Sequence, residues 1–295
     1  MTLHPQARAF LAAMGESDPL TAETVAAARD EMRAAVPPLA DRVAVEHVAD
    51  VDAGGVPARL YRPSRGAPIA LYVHGGGWVL HDLETHDAFC RYLAEASGFA
   101  LLAVDYRRAP EHPYPAPLDD VETAARWLRD AAAGLDVDAT WLPAIGDSSG
   151  GNLVAGLAVR DRGAIDLQVL LYPAVDRRAE LPAEDNAALD ARGMEWFWEA
   201  YAPGEVGDLP EVSPLHAELA GLPPAIVVTA EHDSLRDQGE AHAAALAEAG
   251  VEVVAHRVLG QVHGFWRQPA LFDASRATVA TVAALLHHHR RTARE

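Results

Sequence analysis

Short apolar runs rich in β-branched residues alternate along the chain with longer segments whose apolar positions recur every three to four residues. Continuous apolar runs suit strands buried on both faces, and the longer repeats suit helices lying over them. The pattern therefore predicts an α/β fold built on a mostly parallel sheet. Eight strands are expected near residues 43–49, 57–62, 68–73, 99–104, 141–146, 166–172, 225–230 and 251–258. Helices are expected near 84–97, 117–133, 149–161, 236–249 and 272–289.

Two segments break the alternation: residues 1–40 and 176–222, which look helical and supply no strand. The second gathers Asn186, Trp196, Phe197, Trp198 and Tyr201 among prolines and acids. Open α/β sheets bind ligands beyond the carboxyl ends of their strands, and an aromatic cluster needs apolar surface to cover. The two segments are thus expected to form a helical cap over that edge, leaving 41–175 and 223–295 as the sheet-bearing domain. In the first segment Phe10, Leu11, Met14, Leu20, Val25 and Met32 also need a surface, and the mouth of the cleft is the one expected.

Composition narrows the class. The 295 residues are 50 % hydrophobic and 23 % charged, as in globular chains with a sizeable core. A net charge of −19 argues against nucleic acid as a partner. All 24 basic residues are arginine, which excludes a lysine nucleophile or Schiff base. Cys90 is the sole cysteine, so no internal disulfide can form. The first residues carry neither a basic region nor a long apolar run, and nowhere do about eighteen apolar residues follow one another. A cytoplasmic chain with no membrane span is expected.

The candidate chemistry starts at Gly146-Asp147-Ser148-Ser149-Gly150-Gly151-Asn152, which follows an apolar strand and opens a helix. This fits the G-x-S-x-G nucleophile elbow, whose small flanking residues permit a sharp strand-to-helix turn; chance supplies on the order of 0.04 such matches here. His74-Gly75-Gly76-Gly77-Trp78 directly follows another strand. Successive glycines there leave backbone N–H groups free of Cβ cover, as stabilising a tetrahedral oxyanion requires, and the Ser149 N–H would add a further donor.

A serine hydroxyl needs a base to take its proton and a carboxylate to orient that base. His263 falls in a loop after the last strand, and Asp233 falls just after the strand at 225–230, giving the chain order Ser148, Asp233, His263. Asp237 is the rival acid, one helical turn further on, where capping or solvent exposure is expected. His81 and His232 fall near the cleft without an assigned role. Adjacent His287, His288 and His289 point about 100° apart on a helix, too far to share a metal, and no metal or cofactor is expected.

With these residues in hand, the sequence resembles the hormone-sensitive lipase family of α/β-hydrolases, in its bacterial carboxylesterase branch. His74–Trp78 matches the family's HGGGW motif and Gly146–Asn152 its GDSAGGN motif. Asp105–His112 is similar to its DYRLAPEH segment, Glu231–Asp237 to its DPLRD motif, and His263–Phe265 to its HGF motif. The resemblance implies Ser148 as nucleophile, Asp233 as orienting acid and His263 as base. It also implies an oxyanion hole from Gly76 with Gly75 or Gly77 and Ser149, and an acyl pocket among Trp78, Met194, Trp196, Phe197 and Trp198. Arg108 stands where the family has leucine, Ser149 where it has alanine, and Ser234 where it has proline; the last is expected to loosen the loop holding Asp233.

The function expected is a serine carboxylesterase that hydrolyses short-to-medium acyl esters through an acyl-enzyme, acting on a small molecule as a monomer or homodimer. An amidase or deacetylase would use the same machinery. A ligand-binding receptor on such a scaffold would be expected to have lost its base, which is present here.

Overall fold

The computed structural model of the protein describes residues 2–14, 20–181, 189 and 191–295. Asn186 lies outside the described residues. The main sheet runs in the order β1 (His47–Asp52), β2 (Pro57–Arg62), β4 (Ala100–Val104), β3 (Ala67–Val73), β6 (Pro143–Asp147), β7 (Leu167–Leu171), β8 (Ala225–His232) and β9 (Val253–Val262). Only β1–β2 and β2–β4 pair antiparallel; the remaining neighbours are parallel. A ninth strand that the pattern does not predict, β5 (Val137–Asp138), adds two residues beside β3.

The first strand lies at His47–Asp52 rather than 43–49. The turn through Gly54 and Gly55, with φ of +76° and +95°, sets the hairpin register and puts His47 opposite Arg62. This edge strand is largely solvated, so the apolar run Val43–Val45 does not decide its position.

The central strands are buried on both faces, which explains their unbroken apolar runs. On β4, Leu101 and Ala103 face a layer containing α3 (Leu83–Ser97) and α8 (Asp273–Thr292). Ala100, Leu102 and Val104 face the layer of α4 (Ala116–Ala131), α5 (Ser149–Arg160) and α7 (Arg236–Glu248). Helix α3 begins with a capping box: the Asp82 carboxylate accepts the Thr85 N–H at 2.9 Å, while Thr85 Oγ1 accepts the Asp82 N–H at 2.8 Å.

Three further helices, α1 (Pro5–Met14), α2 (Val25–Ala34) and α6 (Ala191–Tyr201), lie beyond the carboxyl ends of the strands. Helix α2 is clamped by Arg29, which donates to the Val79 and Ala109 carbonyls at 2.8 Å and pairs with Glu111. Residues 204–222, expected within the cap, contribute nothing to the cavity beneath these helices. They run back along α4 and α5, held by Arg160 and Tyr114 on Glu211 and by Asn152 on the Val212 carbonyl.

Asn152, fully buried in the first turn of α5, joins three segments. Its Oδ1 accepts Trp78 Nε1–H at 3.2 Å, and its Nδ2 donates to Ala174 and Val212 carbonyls at 2.8 Å each. Asn152→Ala strands three buried polar groups and is expected to cost about 3 kcal/mol in urea unfolding, with an unchanged m-value. A loss under about 1 kcal/mol would contradict this reading.

Candidate active site

Ser148 sits between β6 and α5 at φ +55° and ψ −120°, outside the regions an L-residue ordinarily occupies. Its N–H donates to the Leu171 carbonyl at 2.8 Å, fixing the turn from the neighbouring strand. The turn closes because Gly146 and Gly150 have no side chains: a Cβ on Gly146 would overlap the Gly150 carbonyl, and one on Gly150 the Val73 carbonyl. The sharp turn presents Oγ to the cavity.

His263 Nε2 lies 3.0 Å from Ser148 Oγ, and its Nδ1 lies 2.8 Å from Asp233 Oδ2. Asp233 is fully buried at the end of β8, and its other oxygen accepts the Leu235 N–H at 2.9 Å. Asp237 is exposed and accepts from Arg236. Of the two acids, Asp233 is the one brought to the imidazole.

The glycine loop after β3 faces the same hydroxyl. Gly76 and Gly77 adopt φ of +119° and +62°, and a Cβ on Gly77 would overlap the Phe197 ring. Among the described residues, the N–H groups of Gly76, Gly77 and Ser149 have no protein acceptor. Gly75 differs from expectation: its N–H is already committed to Asp147 Oδ1 at 3.1 Å, which removes it as an oxyanion donor. The same carboxylate oxygen accepts the Tyr72 hydroxyl at 2.9 Å. Tyr106 donates to the His74 carbonyl at 2.9 Å and stacks on the His74 ring at 4.4 Å.

A cavity of about 680 Å³ opens from Ser148 and His263. Phe10, Met14, Leu20 and Met32 line it from the N-terminal segment, and Met194, Trp196 and Phe197 from α6. Leu11 and Val25 pack elsewhere, on the body.

Comparison with known proteins places this geometry. The α/β hydrolase fold family matches over residues 70–267. Carboxylesterase NlhH of Mycobacterium tuberculosis is 39 % identical over 252 residues, 79 % of each chain. Ethyl acetate hydrolase of Pseudomonas putida is 38 % identical over 254 residues, 80 % of each. Among solved structures, a hyperthermophilic esterase from the archaeon Pyrobaculum calidifontis superposes with a TM-score of 0.87 at 36 % identity, covering 96 % of this chain and 97 % of the other. The chain belongs to the α/β hydrolases of hormone-sensitive lipase type.

For an α/β hydrolase of this type, several side chains are placed differently from expectation. Trp78 and Trp198 do not line the cavity. Trp78 is fully buried, stacks on Tyr201 at 4.5 Å and 4°, and donates to Asn152; Trp198 packs on it at 4.4 Å. These rings weld α6 to the body by stacking on one another. Ser234 does not loosen its loop: it is buried, and its hydroxyl donates to the Leu189 carbonyl at 3.1 Å. Arg108 has a structural account too, since it donates to the His81 carbonyl and lies 3.8 Å from Asp82. Cavity-lining Tyr172, Arg192 and Arg267 carry no sequence signal, as only the fold brings them to the hydroxyl. Asp147 did carry one, its place in the elbow motif.

Behind the loop His86 is buried between His74 and His81, with ring centroids 5.3 Å (His74–His86) and 5.0 Å (His81–His86) apart. Burial holds His81 and His86 well below the usual imidazole range and brings His74, like distant His242, down to about 4. The unfolded chain takes up protons at these sites from about pH 6.5 downward, while the folded protein does not. Their stabilising contribution is therefore complete above about pH 6.5 and lost as pH falls toward 4, opposed only in part by Asp105 and Asp147, whose carboxyls burial pushes up. The urea midpoint is expected to fall steadily across that window; a midpoint that stays flat would contradict the neutral buried cluster.

Proposed function

We propose that this carboxylic-ester hydrolase is a serine esterase that cleaves short-to-medium acyl esters of small molecules through an acyl-enzyme. The observation that carries the reading is the continuous path from Asp233 through His263 to Ser148 at 2.8 and 3.0 Å, ending opposite the free N–H groups of Gly76, Gly77 and Ser149. Ser148 Oγ attacks the ester carbonyl as its proton passes to His263 Nε2. Asp233 accepts the Nδ1–H, holding the ring in the tautomer whose Nε2 has a free lone pair and stabilising the cation that forms. The developing oxyanion takes the three N–H groups. His263 then protonates the departing alkoxide, and a water activated by the same nitrogen releases the acid.

The cap is assigned to the N-terminal 40 residues with α6 from the 176–222 segment, and the remaining sheet-bearing residues to the catalytic body. Phe10, Met14, Met194 and Phe197 are assigned to the acyl wall. A cavity of about 680 Å³ with Phe10, Met14, Met194 and Phe197 on its wall supports short and medium chains over long ones. A buried, lone Cys90 suits a cytoplasmic location.

Ser148→Ala is expected to lower kcat on p-nitrophenyl butyrate by about 10⁴-fold or more, with the fold intact by circular dichroism. Ser149→Ala, which keeps the backbone donor, costs far less. Asp233→Asn is expected to exceed Asp237→Asn in effect by at least about 10²-fold, because only the former disturbs the tautomer of His263. The reverse order of the two acids would refute the assignment. Across a p-nitrophenyl series, kcat/KM is expected to peak at a short or medium chain, and each ester to outrun its matched anilide; an anilide preference would move the reading to an amidase.

A further inference from the structure

Arg267 lies in the single turn Phe265–Arg267 that follows His263, and it lines the cavity that holds Ser148. Other half-buried arginines are paired: Arg29 with Glu111, Arg42 with Asp87, Arg59 with Asp50 and Arg160 with Glu211. Among the described residues Arg267 has no hydrogen-bond or ion-pair partner, in a chain where 43 carboxylates face 24 guanidiniums. The two carboxylates of the site are hydrogen-bonded elsewhere, Asp147 by Tyr72 and Gly75, Asp233 by His263 and Leu235, and Asp147 feels the charge of Arg267 only beyond ion-pair distance. On the same wall Met14, Leu80, Met194 and Phe197 offer its cation no acceptor.

His81 lines the same cavity and is the second anomaly. Its φ of +66° is a backbone region that glycine enters freely and that an L-residue adopts only under strain. The strain is held in place by Arg108, which donates to the His81 carbonyl. The imidazole is buried, and its Nδ1 has no partner. Burial first, and then the charge of Arg267, hold the ring neutral. Arg267 and His81 thus line one cavity, and among the described residues neither the guanidinium nor the His81 Nδ1 has a hydrogen-bond partner.

We propose that Arg267 and His81 form a carboxylate-binding subsite, so that the preferred ester carries a free carboxylate at the end of one arm, as in a monoester of a dicarboxylic acid. This deepens the esterase reading and rests on it. The guanidinium pairs with the carboxylate by charge-assisted hydrogen bonds, with the neutral His81 ring closing the cavity beside it. Hydrolysis then converts the monoester and one water to a diacid and an alcohol, with the second carboxylate left untouched.

The test compares monoethyl adipate, charged on the acyl arm, with ethyl pentanoate, and 6-acetoxyhexanoate, charged on the alcohol arm, with hexyl acetate, by pH-stat at low salt. The wild type is expected to favour the charged member of at least one pair in kcat/KM. Arg267→Gln lowers that charged-to-neutral ratio by about 10- to 100-fold, and Arg267→Lys restores part of it. His81→Gly, which suits the local backbone, lowers the same ratio while keeping or raising the melting temperature. The wild-type preference also shrinks as salt rises. Turnover of both neutral esters with a ratio that Arg267→Gln leaves unchanged in both pairs overturns the subsite alone. Failure to hydrolyse any of the four overturns the esterase reading and the subsite with it.

Discussion

One carboxylate oxygen joins the two halves of the chemistry. Asp147 ends β6 one residue before Ser148, and its Oδ1 accepts both the Tyr72 hydroxyl from β3 and the Gly75 N–H at the start of the glycine loop. Neighbouring parallel strands are thereby tied at their carboxyl ends, so Ser148 and the proposed oxyanion donors of the glycine loop are held by a common anchor. The N–H of Gly75 is consumed in this, and the next two glycines carry the free donors. A Cβ on Gly75 would come within 2.6 Å of Asp147 Oδ2, so the anchor itself demands glycine there. Preorganisation of this kind matters because donors already aimed at the developing charge need no reorientation in the transition state.

The cap is coupled to that anchor through a second set of contacts. Asp82 caps α3 just after the loop and also pairs with Arg33 of α2 at 2.5 Å, while Arg108 lies 3.8 Å away and holds the His81 carbonyl. Arg29 on the same helix grips the Val79 carbonyl inside the loop. On the other side Trp78, Trp198 and Tyr201 stack α6 onto the loop's far end. The helices that line the cavity are thus fastened to the glycine loop, so a change in their packing reaches the surroundings of Ser148 directly.

Much of this is legible in the sequence, and the physics explains which parts. Strands β2, β3, β4, β6, β7 and β8 and their covering helices are read nearly to the residue, because burial on both faces leaves only apolar runs to detect. Strand β1 slips because a solvated edge is placed by its turn rather than by its own apolar residues. The triad is legible because each member sits at a strand end inside a motif that the backbone turn requires. The cavity wall is less so. Met194 and Phe197 line the cavity, yet Trp78 and Trp198 belong to the packing, because an aromatic near a cleft looks the same in sequence whether it faces the cavity or the body. Arg267, Tyr172 and the strained His81 acquire meaning only when three loops distant in sequence meet at one hydroxyl.

The central claim is that Ser148, activated by His263 and oriented through Asp233, is the sole covalent nucleophile. Stoichiometric titration with diethyl p-nitrophenyl phosphate tests it most directly, since the reagent reports both the leaving group and the site it marks. Release of one p-nitrophenol per chain, activity lost in proportion, and a phosphoryl adduct on Ser148 by peptide mass spectrometry are the predicted result. Full activity with no adduct, or an adduct on Ser149 or any other residue, would contradict the account.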